Sequence, residues 1–166
     1  MDINYDGRIK IVLFNPEIPA NTGNIGRLCL GADTELHIIQ PMRFFINDKY
    51  LKRAGLDYWE KVKVFIHASW THFLEAYPEA SLYYCSTKGK KLYTEVDYKD
   101  GDFLVFGPES RGLPENMLFE NIHRVITIPM HNEIRSINLC NSVAIIMYEA
   151  IRQFVCQCQL YDMVDR

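Results

Sequence analysis

Apolar and polar positions alternate along this chain with two different periods. Residues 8–14 carry an unbroken apolar centre, Ile9 and then Ile11-Val12-Leu13-Phe14, which a strand buried on both faces requires. The run stops at Asn15-Pro16. From Asn21 a cluster of capping and turn residues leads into Ile25, Leu28 and Cys29 at i, i+3 and i+4, so a helix is expected to begin there. Further strands are expected at 36–39, 61–66, 81–86, 102–106 and 124–128. A helix over 69–77 and a short one after Pro114 separate them. From Asn138 to about Cys158 the stripe Leu139, Val143, Ile146, Met147, Ala150, Ile151 and Phe154 recurs at helical spacing and predicts one long amphipathic helix.

Six strands interleaved with helices predict an α/β fold with a mostly parallel six-stranded sheet, helices on both faces, and ligand groups on the loops past the strand ends. The segment 88–100 is the least regular and reads as a candidate mobile cover. At 166 residues the chain has the size of one domain, 1–166, able to bury a core without disulfides or metal. The start, Met1-Asp2-Ile3-Asn4-Tyr5-Asp6, lacks a secretory pattern and no apolar run is long enough to span a bilayer, so a cytoplasmic protein with no membrane partner is expected. The five cysteines, Cys29, Cys85, Cys140, Cys156 and Cys158, lack metal-ligand spacing and read as reduced thiols. A net charge of −3 argues against a protein that coats nucleic acid, while allowing a local basic site. Lys49, Lys52, Arg53, Lys61 and Lys63 form one candidate stretch, and Lys88, Lys90 and Lys91 another. Either stretch could equally be a solvated face.

Three segments can carry chemistry. The first, Asn21-x-Gly-Asn24-x-x-Arg27, lies at a strand-to-helix junction, where backbone N–H groups and the helix dipole favour a phosphate or a sugar edge. It matches neither GxxxxGK[ST] nor GxGxxG. Its structural alternative is a cap at Asn21 or Thr22 with Arg27 solvating the helix. In the second, Gly107-Pro108-Glu109-Ser110-Arg111-Gly112-Leu113-Pro114, two glycines and two prolines define a tight loop after an apolar strand. Glu109 there offers a carboxylate to hydroxyls or a cation, or pairs with Arg111 in solvent. The third runs from Ile128-Pro129-Met130 through Arg135-Ser136-x-Asn138-Leu139, between a strand and the long helix, where Ser136 or Asn138 could cap the helix while the loop backbone binds an adenine. His131 has no partner at a diagnostic spacing for a general base, and no histidine pair forms a zinc motif.

Together and in this order, these segments and Arg53-Ala54-Gly55-Leu56-Asp57-Tyr58 resemble the SPOUT superfamily of methyltransferases, and within it the small tRNA wobble-nucleotide 2′-O-methyltransferases of the TrmL (YibK) type. The resemblance covers nearly the whole chain. It implies a single SPOUT domain whose C-terminal segment threads a trefoil knot, and a homodimer. It also implies S-adenosyl-L-methionine as cofactor, S-adenosyl-L-homocysteine as product, and no metal. By position, Cys85, Gly107, Glu109, Gly112, Ile128, Met130, Ser136 and Asn138 would bind the cofactor, largely through backbone groups. Asn21, Asn24 and Arg27 would bind substrate, and Arg27 and Tyr148 would be catalytic, with Tyr148 reaching across the dimer. The implied reaction methylates the ribose 2′-oxygen of tRNA nucleotide 34, a cytidine or 5-carboxymethylaminomethyluridine, with tRNA-Leu the expected substrate. The proton would pass to a substrate phosphate or to Tyr148. Three departures from the family pattern stand out: Cys140 in place of the commoner serine, Gly26 in place of a larger aliphatic residue, and a 130–135 linker carrying His131 and Glu133.

The competing expectations are methylation of another ribose in tRNA or ribosomal RNA, an RNA-binding module that has lost catalysis, and a dinucleotide-dependent oxidoreductase. The short N-terminus favours the wobble-specific type over relatives with an added RNA-binding domain. The presence of Arg27, Glu109 and Asn138 tells against a lost activity. An oxidoreductase would require GxGxxG where Asn21-Thr22-Gly23-Asn24 stands.

Overall fold

The computed structural model of the protein describes residues 8–44 and 58–164, with side chains to residue 155. Its strands are β1 (Lys10–Phe14), β2 (Glu35–Ile39), β3 (Val64–His67), β4 (Leu82–Cys85), β5 (Lys91–Leu92), β6 (Phe103–Phe106) and β7 (Val125–Thr127). The helices are α1 (Pro19–Gly31), α2 (Trp70–Ala76), α3 (Glu115–Glu120) and α4 (Leu139–Val164). One sheet, in the order β3-β2-β1-β6-β4-β7-β5, joins the strands, and every pairing is parallel. Of the motif at 53–58, only Tyr58 lies within the described residues, as does none of Lys49, Lys52 and Arg53.

Continuous apolar strands follow from helices covering both faces. Alternate residues of each central strand enter opposite cores. Ile11, Leu13, Leu36, Ile38, Leu104 and Phe106 join α1 and the Val143, Ile146, Met147, Ala150 and Phe154 stripe of α4. Val12, Ile39, Phe103 and Val105 pack on the other side with Phe73 of α2 and Met117 and Leu118 of α3. The stripe anticipated on the long helix is therefore its buried face.

The strand count differs from the expected six, because the segment 88–100 is not an irregular cover. It contributes β5, a 3-10 turn at Tyr93–Glu95, and two buried side chains, Val96 and Tyr98. The Tyr98 backbone N–H donates to Gln153 Oε1 on α4 at 3.0 Å, and the Gln153 amide donates to the Val96 carbonyl at 2.9 Å. A single glutamine thus ties a segment with little hydrophobic periodicity to the long helix, and composition alone does not announce such a contact. β7 lies between β4 and β5. The Ser86 N–H, just after β4, donates to the Ile126 carbonyl of β7 at 2.9 Å.

Other boundaries moved as well. The first helix begins at Pro19, two residues before Asn21, with Pro at its first position, where the missing N–H costs nothing. Residues 59–61 form a 3-10 turn, so β3 starts three residues later than expected. Ser69 caps α2 by accepting the His72 N–H at 3.1 Å.

Under the β1–β2–β3 part of the sheet lies a polar exception to the apolar rule. His37, fully buried, has Nε2 3.2 Å from Glu35 Oε2 and Nδ1 3.0 Å from His67 Nε2. The carboxylate accepts the Nε2 proton, so Nδ1 is left to accept from His67, and both nitrogens of the His37 ring are satisfied while it is neutral. Phe73, Tyr77 and Phe103 surround the pair edge-on. Burial pushes the His37 pKa down to about 4 against the opposing pull of Glu35, and burial also lowers that of His67. An unfolded histidine titrates near ~6.5 and binds its proton before the folded one does. Stability contributed by the neutral pair is thus complete above about pH 6.5 and is lost as pH falls toward 4. Urea unfolding at pH 7.5, 6.5, 5.5 and 5.0 should show this decline, with a slope of up to about 1.4 kcal/mol per pH unit for each proton. The decline should be shallower in His37→Gln; an equal slope in that variant would assign the effect to other groups.

Candidate active site at the carboxyl ends of the strands

The loops after β1, β6, β4 and β7 all emerge on one edge of the sheet and enclose a cavity of about 620 Å³. Ligands of open α/β sheets bind at this edge. Cys85, Gly107, Glu109, Gly112, Ile128, Met130, Ser136 and Asn138 line the cavity, and so does Asn21. Asn24, Arg27 and Tyr148 do not. Asn24 and Arg27 are exposed on α1, and Tyr148 is half exposed on α4.

Gly107 and Gly112 close the 107–114 loop on itself. A Cβ on Gly107 would lie 2.3 Å from the Gly112 carbonyl carbon and from the Leu113 nitrogen, far inside contact distance. Gly112 has φ +71°, in the left-handed region, and its N–H donates to the Pro108 carbonyl at 2.9 Å. The backbone can therefore fold tightly against the cavity only with glycine at both positions.

Glu109 has a task that spacing alone did not suggest. Its Oε2 accepts the Glu17 N–H at 2.9 Å, and its Oε1 accepts the Ile18 N–H at 3.1 Å and the Asn21 side-chain amide at 3.0 Å. Ile18 is the N-cap of α1 and supplies no side-chain cap. A carboxylate from residue 109 fills that role, pairing otherwise unsatisfied donors at the positive end of the helix dipole. In return, Glu17 accepts the Ser110 N–H at 2.9 Å and the Ser110 hydroxyl at 3.0 Å, and these bonds hold its carboxyl below the usual range. Glu109 and Arg111 are accordingly not a solvent pair.

Asn21 extends the same chain of bonds. Its Oδ1 accepts from the Asn138 amide at 3.2 Å, while Asn138 Oδ1 accepts the N–H groups of Cys140 at 2.8 Å and Asn141 at 3.4 Å. Asn138 thereby caps α4, which was one of the two readings open for it. Asn21 caps nothing. It is the buried link between two helix starts and two cavity loops. The glutamate at position 17 and Ile18 went unnoticed in the sequence, although Pro19 at a helix start was the available signal. Thr87, Lys88 and Ile146 also reach the cavity from outside the three segments.

The guanidinium of Arg27 sits 5.4 Å from the centre of the Tyr58 ring. Among the described residues, no carboxylate lies within ion-pair distance of it. Cys85 lines the cavity, and burial pushes its thiol well above the ordinary range. His131 is exposed in the loop before α4.

A model of the SpoU rRNA methylase family matches residues 8–148. This chain belongs to that family. It is 49% identical over 146 residues to the tRNA (cytidine(34)-2′-O)-methyltransferase of Escherichia coli K12, covering 87% of this chain and 93% of the relative. The enzyme of the same description from Saccharophagus degradans is 49% identical over 145 residues, covering 87% and 94%. Among solved structures, one described as giving structural insights into the 2-OH methylation of C/U34 on tRNA superposes with a TM-score of 0.80 at 42% identity, over 89% of this chain and 96% of the other. An AdoMet-bound rRNA methyltransferase from Sinorhizobium meliloti shares the fold at 20% identity, with a TM-score of 0.76 over 92% of this chain and 58% of that one. The resemblance read from the motifs is thus borne out at the level of the family, and with it the parallel α/β fold.

The carboxylate cap makes a stability prediction. Glu109→Ala leaves two backbone N–H groups and the Asn21 amide without their acceptor. It should lower unfolding free energy by roughly 1–3 kcal/mol, the range for a lost cap or charge-assisted bond. An unchanged urea midpoint would show that the bonds contribute nothing net.

Proposed function

We propose that this protein transfers a methyl group from S-adenosyl-L-methionine to the ribose 2′-oxygen of the wobble nucleotide, position 34, of tRNA. The observation that carries the reading is the convergence of all three motif segments on one cavity, joined through Asn21, Glu109 and Asn138. Relatives 49% identical over most of the chain carry that activity in their names. Cytidine and 5-carboxymethylaminomethyluridine are the proposed wobble bases, and tRNA-Leu the proposed substrate.

The cavity suits the cofactor. Its volume of about 620 Å³ lies in the range of small-molecule sites, and its lining combines apolar Leu113, Ile128, Leu139 and Ile146 with the open backbone of 107–112 and 128–138. Gly107, Gly112, Ile128 and Met130 would hold it chiefly through main-chain groups, with Cys85, Ser136 and Asn138 around them. When bound, the cofactor supplies an electrophilic methyl carbon and leaves as S-adenosyl-L-homocysteine. Holding the two reacting centres about 3–3.5 Å apart and aligned is a large part of what such a site contributes.

Arg27 is assigned to the substrate. A guanidinium does not give up its proton in proteins, so it cannot serve as the base. It can orient a ribose or its phosphate and stabilise negative charge developing on the attacking oxygen. Asn24, exposed on the same helix three residues earlier, would bind the same substrate. The proton would go to a substrate phosphate or to Tyr148.

In one chain, Arg27 and Tyr148 stand away from the cavity lining, so the reading includes a homodimer in which one copy completes the other's site. Ile145 and Tyr148, exposed one helical turn apart on α4, support such a contact. The C-terminal trefoil knot belongs to the same proposal. Insertion of β7 between β4 and β5 is compatible with a threaded path.

Incubation with methyl-labelled S-adenosylmethionine and bulk tRNA, followed by nuclease digestion, should place label on the ribose of nucleotide 34. Label elsewhere, or none with cofactor bound, would overturn the assignment. Gly107→Ala should weaken S-adenosyl-L-homocysteine binding by at least about tenfold by calorimetry, because an added Cβ must open the loop; unaltered affinity would remove this loop from the cofactor site. Arg27→Ala should bind that ligand normally and methylate at least about 100-fold more slowly, and full activity would reject its role. Sedimentation should give a species of about twice 19.4 kDa, and a stable monomer that methylates tRNA would reject the shared site.

A further inference from the structure

We infer that Tyr58 and Trp59 form an aromatic shelf that positions Arg27, and that Gly26 is glycine so that the shelf can seat. The inference rests on the role proposed above for Arg27. Tyr58 and Trp59 enter a 3-10 turn, Trp59–Lys61, that packs across α1. The Tyr58 hydroxyl donates to the Gly23 carbonyl at 3.2 Å, and its ring faces the Arg27 guanidinium at 5.4 Å. Gly23 and Arg27 are one helical turn apart, so this one side chain grips the helix at its hydroxyl end and the arginine at its ring face.

Trp59 secures the arrangement from the neighbouring position. A Cβ on Gly26 would fall 2.5 Å from Cζ3 and 3.1 Å from Cε3 of the Trp59 ring. The indole therefore occupies the volume of a side chain at residue 26. It packs against the main core from there, together with Tyr58. A large residue at 26 with a small one at 59 would fill the same space.

The consequence is energetic economy at Arg27. An exposed arginine has several rotatable bonds, and ordering it in the reactive complex costs side-chain entropy. Ring contact restrains the guanidinium before substrate arrives, and among the described residues no anionic partner competes with a phosphate or a developing oxyanion. Tyr58 is thus a positioning residue. It acts on the rate through Arg27 and leaves the cofactor cavity untouched.

The test measures kcat, the KM for tRNA, and S-adenosyl-L-homocysteine affinity in Tyr58→Leu, Tyr58→Phe, Gly26→Leu, Trp59→Ala and the double variant Gly26→Leu/Trp59→Ala. Tyr58→Leu should lose about 10- to 100-fold in kcat with cofactor affinity unchanged, the scale expected for a displaced catalytic group. Tyr58→Phe keeps the ring and should stay within about threefold of the parent. Gly26→Leu should lose activity similarly, and the double variant should recover part of it. In an Arg27→Lys background, Tyr58→Leu should cost much less than in the parent, since the guanidinium it acts on is gone. Parent-like kcat in both Tyr58→Leu and Gly26→Leu, with Arg27→Ala still impaired, would overturn the shelf and leave the role of Arg27 standing. Equal losses of rate and cofactor affinity would overturn it too, by marking the turn as general scaffold. If Tyr58→Leu fails to fold, a Tyr58→Phe protein more than tenfold slower would count against the ring. Full activity in Arg27→Ala would instead remove the reading on which the inference depends.

Discussion

The carboxylate of Glu109 accepts two backbone N–H groups at the start of a helix that begins 90 residues earlier in the chain, and the placement of the functional loops depends on that contact. A helix opening with Ile18-Pro19 has no local side chain to satisfy its first donors. Position 109 does so from the loop after β6, bringing a full negative charge to the positive end of the dipole. The loop is in turn held by Glu17, which accepts from both donors of Ser110. The two segments thus exchange carboxylate–donor hydrogen bonds, Glu109 at the helix start and Glu17 at the loop.

From that clasp the order spreads to the third loop. Asn21, buried in the first turn of α1, presents its amide to Glu109 and its oxygen to Asn138, which caps α4. Each asparagine uses both ends of its side chain. Replacement by a group with only donors or only acceptors would break one contact, and a buried unpaired amide is costly. The cavity is consequently enclosed by loops that share one hydrogen-bonded frame, which suits the proposed cofactor site.

The proposed chemistry and the proposed cofactor pocket are supported by different parts of the molecule. The pocket residues come from the carboxyl edge of the sheet, where short loops are anchored to buried strands. Arg27 stands on the outer surface of α1, steadied by an aromatic ring from the turn before β3. A site divided in this way within one chain has physical meaning if the exposed side of one copy meets the cavity of another. The exposed Ile145 and Tyr148 of α4 lie on a surface suited to such a meeting.

Much of this was legible in the sequence. The alternation of continuous apolar strands with helical stripes dictated a parallel sheet covered on both faces, because only burial on both sides makes such strands stable. The amphipathic stripe from Leu139 to Phe154 fixed which face of the long helix would be buried, and the glycines and prolines of 107–114 marked a rigid loop. The motifs, taken in order, named the family. Four things were decided only in three dimensions: the strand at 91–92, the burial of Val96 and Tyr98, the use of Glu109 as a cap, and the seating of Trp59 on Gly26. Each depends on contacts between residues about 30 to 90 positions apart, such as Gln153 with Tyr98 or Glu109 with Ile18. Periodicity reports what a residue's neighbours along the chain require of it. It carries no information about which distant donor a carboxylate will find, because that is set by the packing of the whole sheet.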